Sequence, residues 1–284
     1  MTAPSQEHPT SDPSHAELAA AGESSALVRP IAGLGATALD FLRAGLELYS
    51  VFVRTLYYVF RGRRERGALV KQMYEIGNRS VFFVSITMGF IGMILVYQSG
   101  LQLRRVIPDF TMLGATYIEL LVRDLGPSIA SLILTTRVGA GIAAEIGSMV
   151  VTEQVDALRM CAADPIDFLV VPRFLAGLVM TAALIVWAST VAYFTGALTA
   201  YFAYDLSFQT FFNTSLVDTG DVVTGVTKCI VYGAAIPVVS GYCGLSTFGG
   251  SEGVGWATTR AVVNSSLAII VLDFFISGAG FLIF

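Results

Sequence analysis

Residues 81–103, "VFFVSITMGFIGMILVYQSGLQL", contain no Asp, Glu, Lys or Arg. At 1.5 Å of rise per residue, a helix of that length matches the roughly 30 Å hydrocarbon core of a bilayer. Lipid offers no hydrogen bonds to a bare backbone, so a run of this kind that crosses a membrane is confined to a helix or a closed barrel. The rest of the chain follows suit. Of its 284 residues, 55% are hydrophobic and 13% charged, and the mean hydropathy is +0.70; soluble domains carry about 25% charged residues. The expected fold class is an all-α polytopic membrane protein. The net charge of −4 decides little, because a bilayer protein is oriented by where its charges fall. Nothing in the charge pattern points to nucleic acid.

The spans can be counted along the chain. Residues 1–30 are rich in Pro, Ser, Glu and Ala and have no apolar core. They read as a disordered cytoplasmic tail without a cleavable signal peptide. Between 31 and 60, Asp40, Arg43, Glu47, Ser50 and Arg54 recur at three- and four-residue steps, continuing to Arg61. Leu34, Phe41, Phe52, Leu56 and Phe60 fall opposite them, the pattern of an amphipathic helix lying in the membrane interface. With the basic run "RGRRERG" (61–67) and Lys71 it forms a second region, 31–72, ahead of a membrane domain, 73–284. The basic run and Arg79 hold this end in the cytoplasm.

Span one is the run 81–103. Span two covers about 112–136 and is expected to break near Gly126-Pro127. Spans three, four and five are expected over 174–204, 222–245 and 261–284. Residues 205–221 contain no Lys or Arg and read as an outer loop; 246–260 read as a Gly-rich inner loop. Five spans put the N-terminus inside and the C-terminus outside. Arg104 and Arg105 run against that orientation, while Arg137, Arg159, Arg173 and Arg260 favour it.

Two features could carry function. In "AAEIGSMVVTEQVDALRM" (143–160), Glu145, Ser148, Thr152, Asp156 and Arg159 make a polar stripe at helical spacing. Ile142, Ile146, Met149 and Val150 lie opposite. This reads either as a solvated loop helix or as a docking helix that transmits movement from a soluble partner. The second feature is charge inside the spans. A charged residue at a helix centre costs roughly 2.5–3.5 kcal/mol on insertion scales, so it faces a cavity or a partner. Glu119 and Arg123 are one turn apart with Asp124 adjacent, Asp221 and Lys228 share a face, and Asp273 sits midway along span five. They either bridge one another and order the bundle or line an amphiphile's path, with Arg123 or Lys228 near an anionic headgroup.

Other chemistry has little support. Cys161, Cys229 and Cys243 have no CxxC spacing and read as packing residues. His8 and His15 sit in the polar tail, so neither a metal site nor a catalytic centre is expected. The two lysines, Lys71 and Lys228, are not preceded by glycine, so there is no P-loop. The glycines of 249–255 follow no strand and read as a tight turn.

"RVGAGIAAEIGSMVVTEQVDAL" followed by "DPIDFLVVPR" closely resembles the signature of the MlaE/YrbE permeases, membrane subunits of ABC lipid transporters that work with MCE-domain proteins. The likeness extends through "VRDLGP" (122–127), "GGSEGVGWATTRAVV" (249–263) and "LDFF" (272–275). It implies a homodimeric bacterial inner-membrane permease with no cofactor of its own; ATP and magnesium would be bound by a cytoplasmic ABC ATPase. A periplasmic MCE-domain protein, as a hexameric ring, would exchange phospholipid with it. Residues 143–160 would be the coupling helix between spans two and three, with Glu145, Ser148, Met149, Thr152, Glu153, Asp156 and Arg159 against the ATPase. Glu119, Arg123, Asp124, Asp221, Lys228 and Asp273 would be candidates for the lipid path, and the first two spans would supply an acyl-chain cavity. Asp124 stands where the family motif has Glu, and Trp256 where it often has Arg. The rival readings are an ion-coupled secondary transporter using Glu119, Asp124 and Asp273, and a membrane scaffold that transports nothing.

Overall fold

A computed structural model of the chain describes residues 45–61, 66–106 and 110–283. Among them there is no strand. The expected tail (1–30) and the first part of the amphipathic segment (31–44) lie outside the described residues. Helix α1 covers 45–61. It leads to α2 (Arg66–Val106), α3 (Leu113–Leu120), α4 (Gly126–Leu134), α5 (Ala140–Val151), α6 (Gln154–Met160), α7 (Val171–Tyr204), α8 (Phe208–Phe211), α9 (Thr219–Leu245) and α10 (Gly250–Ile283). Among the described residues, five stretches are long and apolar enough to cross a membrane: Gly67–Arg105, Leu113–Val151, Ile166–Tyr204, Thr219–Leu245 and Gly250–Ile283. The expected count holds. Every span is longer than expected, because hydropathy marks the lipid-embedded core while the hydrogen-bonded helix runs on past it.

Two corrections concern connections. Residues 66–72, read as linker, are the first two turns of α2. The expected Gly-rich loop 246–260 is mostly helix. Its turn needs only Gly249 and Gly250, with φ of 85° and 75°, a region open to glycine at little cost. From Gly250 the chain is α10.

Span two is one long helix interrupted by two π-helical turns, Leu121–Leu125 and Thr135–Gly139, and a third such turn, Ile166–Val170, opens span three. Proline explains two of them. Pro127 and Pro172 cannot donate to the carbonyl four residues back, and their rings crowd it. Those carbonyls belong to Arg123 and Phe168, each inside a π turn that widens the helix. The break expected at Gly126-Pro127 is therefore a bulge, and the helix does not end there.

The longest interface is α2 against α7. A Cβ at Gly92 would collide with the backbone of Ala192, so this glycine lets the two helices approach to backbone distance. Val84, Met88 and Val96 of α2, Leu184 and Ile185 of α7, and Tyr232 and Ile236 of α9 form the shared core. By contrast, α10 buries a single stripe at four-residue steps, Ala257, Ala261, Ser265 and Ile269. Phe274, Phe275 and Phe281 are exposed.

Candidate functional site: a buried charge network, an apolar cavity and an exposed corner

Three i,i+4 pairs on three different elements converge between spans two, four and five. Asp124 and Ser128 come from the first π turn and α4, Lys228 and Tyr232 from α9, and Asp273 and Ser277 from α10. The Lys228 ammonium, with no exposed surface, donates to Asp124 Oδ1 and lies 2.6 Å from Asp273 Oδ1. The same Asp273 oxygen accepts from Tyr232 Oη at 2.6 Å and Ser128 Oγ at 2.9 Å. Ser277 Oγ reaches Asp124 Oδ1 at 3.5 Å. Two carboxylates thus hold one ammonium, and two hydroxyls donate to the same Asp273 oxygen. That satisfaction lets a charge remain inside the bundle.

Two turns nearer the start of α9, Arg123 Nη1 lies 3.5 Å from Asp221 Oδ1. Asp221 also closes a capping box, accepting from the Asp218 backbone N–H at 3.1 Å. The π turn makes this double engagement possible. It places Arg123 and Asp124, neighbours in sequence, against Asp221 and Lys228, which stand two turns apart on α9. A Cβ on Gly225 would collide with the Val122 carbonyl, so α9 and the π turn meet at backbone distance.

Beside the network lies a cavity of about 340 Å³ between α3–α4, α7 and α9. Leu121, Val122, Ile185, Val186, Val226 and Cys229 give it an apolar lining, with Ser189, Thr190 and Tyr193 as polar points. Its size falls within the usual 300–1,000 Å³ of small-molecule sites. The cavity was expected between the first two spans. Span two lines this cavity, and span one contributes no residue to it.

The stripe of 143–160 does not sit on one helix. Residues 140–151 continue span two directly as α5, and Gly139 serves close packing there: a Cβ on it would stand 3.0 Å from Ser240 Oγ. The chain then bends at Glu153, whose φ is 59°, and α6 follows. Ile142 and Ile146 are buried, and Met149 and Val150 half-buried, as expected of the inner side. Glu145 leaves the stripe. It accepts from Arg173 Nη2 at 2.8 Å, while Arg173 Nη1 donates to the Leu169 carbonyl at 2.6 Å. Arg173 is buried with its Nε unpartnered, so this ion pair is what holds the guanidinium there. Ser148, Thr152, Glu153, Asp156 and Arg159 remain exposed, with Asp156 and Arg159 paired at 3.0 Å and Met160 alongside, 89% exposed. Behind the corner, Asp164 caps the Ile166 N–H at 2.9 Å and accepts from Tyr58 Oη of α1 at 2.8 Å. That hydrogen bond, followed by desolvation, pushes the Tyr58 phenol above its ordinary value.

A helical membrane chain with a lined cavity and an exposed polar corner between two spans admits several transporter classes. Comparison with known proteins decides between them. Residues 69–279 match the family described as Permease MlaE. The chain belongs to the MlaE permease family. Among relatives of this MlaE-family chain, a protein of Rickettsia prowazekii named "Probable ABC transporter permease protein" is 37% identical over 212 residues, 74% of this chain and 81% of the relative. One of the same description from Synechocystis is 37% identical over 228 residues, 78% and 84% of the two chains. The "Intermembrane phospholipid transport system permease protein MlaE" of Haemophilus influenzae is 32% identical over 265 residues, 90% and 98%.

Within this permease the sequence-derived candidates sort by position. Asp124, Lys228 and Asp273 form one cluster and Arg123 with Asp221 a second. Glu119 is half-buried and makes no ion pair among the described residues. Asp221 and Lys228, placed on one face by their spacing, take different partners. Tyr232, Ser128 and Arg173 belong to these sites without having been singled out. Their signal was present in part, since Tyr232 follows Lys228 by one turn and Arg173 is a charge at the mouth of an apolar run.

Proposed function

We propose that this ABC transporter permease is the membrane subunit of an ATP-driven system moving phospholipid between the inner membrane and an MCE-domain protein. In that assembly two copies form the core, each docking a cytoplasmic ABC ATPase that binds ATP and magnesium. A hexameric MCE ring stands on the periplasmic side. The N-terminus is cytoplasmic and the C-terminus periplasmic, and the chain itself catalyses no reaction. The observation that carries the reading is the family match over 69–279, with a relative named for intermembrane phospholipid transport matched over 98% of its length.

The geometry supports roles within it. The exposed corner formed by Ser148, Thr152, Glu153, Asp156 and Arg159 is where the ATPase seats. Motion there passes along α5 and the two π turns, irregularities that occur frequently at functional sites, to the cavity wall at Val122. Glu145 transmits it to span three through Arg173. The cavity takes acyl chain, with the half-exposed Arg123 and Asp124 at its edge toward the headgroup. Lys228 and Asp273 order the bundle. The buried carboxylates are the observation favouring the second reading, an ion-coupled transporter, in which the same network would exchange protons or cations.

The assembly can be tested by native mass spectrometry of the full chain drawn from its native membrane in mild detergent. The expected spectrum contains two copies, two ATPase subunits, an MCE hexamer and bound phospholipid. A chain that emerges alone even after crosslinking contradicts the proposal.

A further inference from the structure

A second and larger cleft, about 460 Å³, opens between the first turns of α2 and the junction of the second π turn with α5. It lies at the other end of span two from the apolar cavity. Pro127 borders that cavity and Arg137 this cleft, ten residues or about 15 Å apart along the helix. Arg79 and Arg137 both line it, together with Glu75, Glu145 and Gly141.

The charges do not cancel. Glu145 is already engaged by Arg173 at 2.8 Å. Neither Arg79 nor Arg137 forms an ion pair among the described residues. Two guanidinium groups therefore share a concave site with one uncommitted carboxylate, Glu75. Such a pair favours an anion between its members, and the planar donor fork of arginine fits phosphate oxygens two at a time.

Depth narrows the choice of anion. Arg79 stands two residues before the uncharged run 81–103, and Arg137 immediately follows the apolar stretch ending at 136. Both mark the same boundary of the hydrocarbon layer, the level at which lipid phosphates lie. Arginines at this level commonly serve only to anchor helices. Here they come from two different spans and converge on one cleft, and one of them is carried by a π turn.

We infer that this cleft binds the phosphate of a lipid headgroup, a second amphiphile station on the same helix as the apolar cavity. The inference needs only that the chain spans a membrane, and it does not depend on the ATPase or the MCE partner. A soluble phosphate ester shares the recognition chemistry, so the two sources are separated by experiment.

The test uses the full chain with its copurifying subunits, native mass spectrometry, and dioctanoyl phosphatidylglycerol as probe, with glycerol 3-phosphate and dioctanoylglycerol as comparison ligands. Two variants attack the site by different means. Arg79→Gln with Arg137→Gln removes the charges. Gly141→Phe fills the space, since nothing lies within 4 Å of where a Cβ would stand there. Val226→Trp narrows the apolar cavity instead. Each of the first two variants is expected to weaken binding of one phosphatidylglycerol per chain at least tenfold, with Val226→Trp leaving that molecule in place. Glycerol 3-phosphate binding as tightly as the lipid would assign the cleft to soluble esters and overturn the lipid assignment, and dioctanoylglycerol binding as tightly would overturn phosphate recognition. Loss of lipid in Val226→Trp alone would remove this cleft while leaving the proposed transport cavity standing.

Discussion

Lys228 places a full charge where no surface reaches solvent, and its neighbours explain why the chain tolerates it. Two carboxylates face the ammonium, and Tyr232 and Ser128 donate to the Asp273 oxygen that it touches. Such a group is much more costly to break than to replace. Removing one member of a buried ion pair typically costs 3–5 kcal/mol, because the partner is left charged and unpaired. Lys228→Met is therefore expected to lower the thermal unfolding midpoint in detergent by the equivalent of about 3 kcal/mol, the lower end because Asp124 is 42% exposed and water relieves part of the loss. Adding Asp124→Asn and Asp273→Asn should recover most of it. An unchanged midpoint in Lys228→Met would show that the network does not order the bundle. The sequence makes these charges visible but not their pairing. The i,i+7 spacing of Asp221 and Lys228 fixes only that both lie on one side of α9. Their partners stand across other helices, 104 and 45 positions from Lys228 in the case of Asp124 and Asp273, separations on which local periodicity is silent.

Span two carries most of the site. It bears Arg123 and Asp124 on its first π turn and Arg137 on its second, and it ends at the exposed corner. Hydropathy located this span because a bilayer demands an apolar run. An irregularity near Gly126-Pro127 was also legible, through Pro127, although it was expected as a break and is a π turn within a continuing helix. The continuation into α5 was not, since "VGAGIAAEIG" offers glycines that suit a turn and a helix interface equally, and packing against α9 decides it. The corner gives the element-level prediction. Asp156 and Glu153 are exposed, and the Asp156–Arg159 pair, like other surface pairs, is worth about 0–1 kcal/mol. Reversing either charge, Asp156→Arg or Glu153→Arg, should reduce lipid transport at least tenfold while leaving the unfolding midpoint within about 1 kcal/mol of the parent. Full transport together with normal ATPase binding would exclude the corner as the docking surface.

At the scale of the molecule, the parts line up along one axis. The phosphate cleft and the exposed corner share one end of span two, and the apolar cavity and the Arg123–Asp221 pair lie toward the other. α10, buried along one stripe and with Phe274, Phe275 and Phe281 exposed, leaves a face suited to lipid or to a second copy. This arrangement distinguishes a lever moved from one end by ATP hydrolysis from a carrier moved by an ion gradient, in which the buried carboxylates would lead. The decisive measurement is phospholipid transfer by the assembled complex in proteoliposomes, using a fluorescent phospholipid and an acceptor MCE-domain protein. Transfer that requires ATP and magnesium, and persists when proton and sodium gradients are collapsed, is the predicted result. Transfer that proceeds without ATP and stops when the gradients are collapsed would contradict the account and return the network of Asp124, Lys228 and Asp273 to the centre of the mechanism.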